Sequence, residues 1–184
     1  MRIIGGEYRS RLIQMPKGIE VRPTQDRVRE AIFNILGDIN GKVVLDLFAG
    51  SGAFGLEALS RGASHVTFVE NNSRCLAVIE ENVGSLNIPD SKSYIARGSV
   101  LSLLPKMQRD GNKYDIIFLD PPYHKDMARK CLINIDYRDI LPQFGLVVAE
   151  HFKKDSLEAD LDTLETMTER KYGDTLVTIY RKTS

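Results

Sequence analysis

Between Lys42 and Glu150, short apolar runs alternate with stretches of helical periodicity, and few folds accommodate that order. Val43–Leu47, His65–Glu70, Ser93–Arg97, Tyr114–Leu119 and Leu146–Glu150 read as strands. Gly52–Arg61, Ser73–Leu86, Val100–Met107 and Asp126–Ile133 read as the helices between them. Strands and helices in strict alternation build right-handed crossovers, hence a mostly parallel sheet with helices on both faces. Ile116-Ile117-Phe118-Leu119 is apolar throughout, as a strand covered on both sides must be. The tail differs: Leu164–Arg170 and Thr175–Arg181 flank Tyr172-Gly173-Asp174, the pattern of a closing antiparallel hairpin.

Ahead of Lys42, Arg2 to about Ile13 reads as a short hairpin with Gly5-Gly6 as a flexible element, followed by a loop holding Pro16, Gly18 and Pro23. Thr24 is the expected N-cap of a helix over 25–36, with Asp26 in its first turn and Gly37 ending it. Val28, Ala31, Ile32, Ile35 and Leu36 give that helix one apolar face. The expectation is therefore a doubly wound α/β domain over 41–184 preceded by an extension over 1–40.

At 184 residues the chain suits one main domain, and no run approaches the roughly 18 apolar residues of a membrane span. Met1–Gly6 is too short for a signal peptide, so a cytoplasmic location is expected. Cys75 and Cys131 stand apart from each other and from any histidine cluster, which suggests neither a disulfide nor a metal site. The formal net charge is zero, but residues 1–30 carry seven basic against four acidic side chains. A basic arm on a neutral body is compatible with phosphate contact.

Asp46-Leu47-Phe48-Ala49-Gly50-Ser51-Gly52-Ala53-Phe54-Gly55 falls at the first strand-to-helix junction, and Gly50, Gly52 and Gly55 fit G-x-G-x-x-G. Glu70 follows at the end of the second strand, in position to bind ribose hydroxyls. Asp46 separates two readings. A carboxylate at that strand end repels a pyrophosphate and favours a cation, such as the ammonium or sulfonium of S-adenosylmethionine.

Asp120-Pro121-Pro122-Tyr123 follows the apolar fourth strand. Pro121 has no N–H, and Pro122 biases its predecessor away from helix, so the chain stays extended there. A carboxylate, a backbone carbonyl and an aromatic ring within four residues suit a flat ring that bears an amino group. Doubly wound sheets bind ligands outside the carboxyl ends of their strands where the order reverses, so this segment is expected to face the Gly50 loop. The amine of a nucleobase, oriented by Asp120 and Pro121, would then attack a methyl sulfonium directly, with Tyr123 stacked on the extruded base. No cysteine nucleophile is needed, and His124 reads as a loop residue.

The segments Arg2-Ile3-Ile4-Gly5-Gly6, Arg22–Glu30 (RPTQDRVRE), Leu45–Gly52 (LDLFAGSG), Gly55–Gly62 (GLEALSRG) and Asp120–Tyr123 together resemble the bacterial RsmD family. Its members methylate guanine N2 in small-subunit (16S) ribosomal RNA. The resemblance implies a class I S-adenosylmethionine-dependent methyltransferase fold, with S-adenosyl-L-homocysteine as the spent cofactor. It implies that Asp46, Gly50, Ser51 and Gly52 hold the methionine end and Glu70 the ribose, with Phe48, Asn71, Ser99, Val100 and Thr24 completing the cofactor site. Asp120, Pro121, Pro122 and Tyr123 would hold the guanine. Arg2, Arg9, Arg11, Arg22 and Arg27 would contact RNA, probed in an assembling small subunit by a monomeric enzyme. Two positions depart from the family pattern. Ser10 replaces a glycine common in the arm, and Ser99 stands where many related enzymes carry an acidic residue near the adenine amine. Three other readings stay open from the residues: a DNA adenine or cytosine amino-methyltransferase sharing DPPY, a nicotinamide-dependent oxidoreductase resting on the glycines, and a non-catalytic RNA-binding module.

Overall fold

The computed structural model describes residues 1–18, 26–122, 126–155, 157 and 159–183. They form two compact units, Met1–Gly98 and Ser99–Ser184. In the first, α1 (Asp26–Leu36), β1 (Val43–Leu47), α2 (Ala53–Ser60), β2 (His65–Glu70), α3 (Ser73–Ser85) and β3 (Ser93–Arg97) follow in order. β2 lies between β1 and β3 and is parallel to both, pairing Leu47 with Val69 and Val69 with Ala96. All but the end residues of β2 are buried, as the β-branched sequence of a central strand requires.

α2 is buried on every side, with Phe54 to Ser60 out of water. Gly55 lets it sit that close: a Cβ there would lie 2.2 Å from the Phe68 ring of β2. The third glycine of the motif thus serves helix packing. Asn72 caps α3, its side-chain oxygen accepting from the N–H groups of Arg74 and Cys75.

The second unit holds α4 (Val100–Arg109), β4 (Ile116–Leu119), α5 (Met127–Asp136), β5 (Leu146–Phe152), β6 (Leu164–Tyr172) and β7 (Thr175–Lys182). β4 and β5 are parallel, β7 is antiparallel to β5, and β6 closes the hairpin on β7. Its two-residue turn places Gly173 at φ 65°, where hairpin geometry demands a positive angle. A bulge between Thr166 and Thr168 interrupts β6.

Several boundaries move from the expected ones for identifiable reasons. β4 starts at Ile116 rather than Tyr114 because the Tyr114 N–H goes to the Ile140 carbonyl. β5 continues to Phe152 because β7 pairs with it up to Thr175. α5 runs three residues past Ile133. At its end, the Asp136 carboxylate accepts from the N–H groups of Asp162, Thr163 and Leu164 and from the Thr163 hydroxyl at 2.7–2.9 Å. Burial pushes that carboxyl up, but these donors outweigh it and hold it below the ordinary value.

Replacing Asp136 with Ala is expected to cost about 2–3 kcal/mol at pH 7, since it orphans several donors at the entrance to β6. Asp136→Asn should cost less. Because the folded carboxyl titrates below its unfolded value, its stabilisation is present above about pH 4 and fades as pH falls through the folded pKa. Urea melts at pH 7 and pH 3 check this: the gap between wild type and Asp136→Asn should narrow at the lower pH.

The N-terminal segment forms the expected short hairpin: Ile3 N donates to the Arg11 carbonyl, Ile13 N to the Met1 carbonyl and Ser10 N to the Ile3 carbonyl. Its ladder is a single antiparallel bridge, Arg2 to Leu12. Gly5-Gly6 packs closely on α2: Gly6 has φ 76°, and a Cβ on it would lie 1.8 Å from the Ser60 carbonyl oxygen. Ser10 has φ 68°, so the serine holds the left-handed conformation that glycine adopts most readily. Among the described residues, no helix is long and apolar enough to cross a membrane. The expected Thr24 cap lies outside the described residues.

Candidate active site

In the first unit, the carboxyl ends of β1 and β2 gather seven of the expected cofactor residues: Asp46, Phe48, Gly50, Ser51, Gly52, Glu70 and Asn71. Asp46 is 2% exposed, and one of its oxygens accepts the Gly55 N–H at 2.9 Å. Burial pushes its carboxyl up to about 8; the Gly55 N–H opposes this and the Glu70 charge adds to it. A carboxyl held that high keeps its proton at neutral pH.

The backbone between β1 and α2 turns through Phe48 at φ 60°, Gly50 at φ 58° and Gly52 at φ 80°. The last two positions suit glycine, whereas Phe48 holds a strained angle in the loop expected to touch the cofactor. Glu70 stitches that loop to β2. One of its oxygens accepts from Gly50 N at 2.9 Å, the other from Asn71 N and Asn72 N at 2.8 and 2.9 Å. Three of the roughly four acceptor positions of the carboxylate are thus occupied by backbone, leaving about one for a ribose hydroxyl.

In the second unit, Ser99 caps α4, accepting from Ser102 N at 3.3 Å and donating to the Ser102 hydroxyl at 3.1 Å. Its side chain is committed to the helix end. The N–H of Val100, in the first turn, has no intrahelical acceptor by helix geometry, which leaves it as the donor of this pair. Asp120 is half-buried where β4 ends, Pro121 is buried and Pro122 exposed. Tyr123 and His124 lie outside the described residues, as do Arg22, Pro23 and Thr24.

Arg2, Arg9, Arg11 and Arg27 are all exposed, and Arg11 donates to the Ser85 carbonyl at the end of α3. Burial, with the Glu70 charge, pushes the Cys75 thiol up to about 11, and burial pushes Cys131 up to about 12. Neither supplies a thiolate at neutral pH. No group of His, Cys, Asp and Glu able to hold a metal occurs among the described residues.

The helical pattern of 25–36 puts Arg29 on the polar side, which its full burial corrects, and the sequence assigned no role to Glu57, Ser60 or Asn82. Glu57, Arg29 and Asn82 are each fully buried, and Ser60 nearly so. Asn82 on α3 donates to the Ser51 carbonyl of the glycine loop at 2.9 Å and exchanges two bonds with the backbone of Gln14. The one visible signal was Glu57, a lone carboxylate in the otherwise uncharged helix Ala53–Ser60.

The model of the family described as conserved hypothetical protein 95 matches residues 1–181. Ribosomal RNA small subunit methyltransferase D of Haemophilus influenzae is 33% identical over 98% of this chain and 92% of its own length. The protein of that name from Escherichia coli K12 is 34% identical over 82% of this chain and 74% of its own. The solved structure of yhhF from Escherichia coli, 30% identical, covers 100% of this chain and 98% of that one with a TM-score of 0.86. The chain has the class I methyltransferase fold, and it belongs to the conserved hypothetical protein 95 family with the RsmD proteins as its relatives across nearly its whole length.

Proposed function

We propose that this protein is an S-adenosylmethionine-dependent ribosomal RNA methyltransferase that acts on the N2 amine of a guanine in small-subunit RNA. The likeness to small-subunit rRNA methyltransferases, which runs through the arm as well as the glycine loop, carries the reading. The buried acid at Asp46 supports a cationic cofactor over a dinucleotide, because a pyrophosphate gains nothing from it.

In this reading Asp46, Gly50, Ser51 and Gly52 receive the methionine end of the cofactor, Glu70 one ribose hydroxyl, and the Val100 N–H the adenine. Asp120 and the Pro121 carbonyl accept the two N–H bonds of the guanine amine, whose lone pair is otherwise delocalised into the ring. Held this way, the nitrogen attacks the methyl carbon. S-adenosylmethionine would supply the methyl group, its sulfur keeping the electron pair of the broken carbon–sulfur bond to leave as the thioether of S-adenosylhomocysteine, and the methylated nitrogen would give up a proton. Orientation and charge supply the rate, without a covalent enzyme intermediate. Arg2, Arg9, Arg11 and Arg27 meet RNA phosphates.

The test is transfer of tritiated methyl groups into small ribosomal subunits lacking the mark, into the same RNA stripped of protein, and into duplex DNA. N2-methylguanosine in the RNA digest is the expected product, and more label in the assembled particle would make that the substrate. Label in DNA, or on another base, overturns the reading.

A further inference from the structure

The arm is fastened almost entirely through its backbone. Glu57, 0% exposed, uses its two oxygens to accept from Ile4 N at 2.8 Å and Gly5 N at 2.9 Å, while Arg61 Nε donates to it at 2.8 Å. Behind it lies Arg29, also 0% exposed, whose Nε stands 3.6 Å from Glu57 and makes no hydrogen bond among the described residues. The other guanidinium nitrogens of Arg29 donate to the Arg2 carbonyl, to Asp26 at 3.1 Å and to the Met1 sulfur at 3.0 Å. Ser60 continues the seam: its carbonyl accepts from Glu7 N at 2.7 Å, and its hydroxyl accepts from Tyr8 N at 2.9 Å and donates to the Gly5 carbonyl.

Stability alone is a weak reason for this arrangement. A buried ion pair costs so much desolvation that an apolar pair of equal volume is often as stable or more so. What the pair does provide is a fixed place. Every bond from Glu57 and Ser60 to the arm ends on a main-chain atom, so Ile4 to Tyr8 cannot slide while the side chains of Arg2 and Arg9 stay exposed. The helix that holds them is the one whose first turn gives the Gly55 N–H to Asp46. Cofactor loop and arm are attached to a single eight-residue helix, the loop through Gly55 in its first turn and the arm through Glu57 in its middle and Ser60 at its last residue.

We infer that Glu57, with Ser60, is a positioning residue for RNA: it holds the arm in one place beside the cofactor loop, so that the exposed arginines of the arm are set to capture RNA there. The inference rests on the rRNA methyltransferase reading and on the arm as its RNA contact.

Glu57→Gln and Ser60→Ala test it, the second being mild enough to fold if loss of the buried carboxylate proves too disruptive. Steady-state transfer to unmethylated small subunits, RNA binding by fluorescence anisotropy and S-adenosylhomocysteine binding by calorimetry are read side by side. KM for the particle and Kd for RNA should rise about tenfold in Glu57→Gln and about threefold in Ser60→Ala. In both, kcat and S-adenosylhomocysteine affinity should stay within twofold, and hydrogen exchange at Ile4, Gly5 and Tyr8 should quicken. Faster exchange with unchanged KM and Kd overturns the inference, as does a matching fall in kcat and cofactor affinity, which marks a merely structural role. Should wild-type protein bind RNA with an affinity that Glu57→Gln weakens, yet transfer no methyl group, the methyltransferase reading fails and the positioning of the arm by Glu57 stands.

Discussion

Asp120→Ala is expected to lower methyl transfer at least about a thousandfold while S-adenosylhomocysteine binds within about threefold of wild type. The reason lies in what the end of β4 offers. A guanine amine shares its lone pair with the ring, and only acceptors on both of its hydrogens turn that pair out of the plane toward an electrophile. In the proposed reaction Asp120 supplies a carboxylate acceptor and Pro121 a fixed neutral one. Losing the carboxylate removes both orientation and the charge that stabilises the developing ammonium. Asp120→Asn keeps one acceptor oxygen but turns an NH2 group toward the amine, so it should fall between the two. Because Asp120 follows β4 rather than the glycine loop, the cofactor should notice little. Single-turnover transfer alongside calorimetry of S-adenosylhomocysteine separates the effects, and a variant that keeps most of its activity would remove Asp120 from the reaction.

Asp46→Asn carries the second large effect, and pH exposes it. The Asp46 carboxyl titrates near 3.8 in the unfolded chain and is pushed up to about 8 in the folded one. Between those values the folded protein holds a proton that the unfolded chain has released, so stability falls as pH rises through that window. Asparagine mimics the protonated form and can still accept the Gly55 N–H. The variant should therefore be more stable than wild type at pH 8, by on the order of a few kcal/mol. It should also bind S-adenosylmethionine about a hundredfold more weakly at that pH, having no charge to offer the cation. In wild type, affinity should climb between pH 6 and pH 8 by up to about tenfold per unit, with a proton released on binding; in Asp46→Asn it should be flat. Calorimetry in buffers of different ionisation enthalpy counts that proton. A flat wild-type profile would place the cation away from Asp46.

The sequence made the repeating architecture plain because buried parallel strands must be apolar and their crossover helices must be amphipathic, so both periods are written in side chains. Every named strand and helix is present with an end moved by a few residues at most. Those shifts come from bonds that no period encodes, such as Tyr114 N to the Ile140 carbonyl. The glycine loop was legible for the same reason: Gly50 and Gly52 take positive φ, and few other residues do so cheaply. The occupation of Glu70 by three backbone N–H groups was not legible, since a carboxylate at a strand end looks the same whether it faces a ligand or its own loop. The close packing of Gly5-Gly6 was not legible either. Glycine serves freedom and close approach alike, and only the position of Ser60 tells which.

The fastening of the arm also sets an order of events. Ile4, Gly5 and Tyr8 bond to residues 52 or 53 positions further along. Closing such a loop costs entropy that is recovered only once α2 exists to receive it. During synthesis the arm leaves the ribosome before α2, its bonding partners being made some fifty residues later, a delay of several seconds at ordinary elongation rates. For that interval a basic, unseated strand trails from a working ribosome, and it folds only when the helix that will hold it has been built.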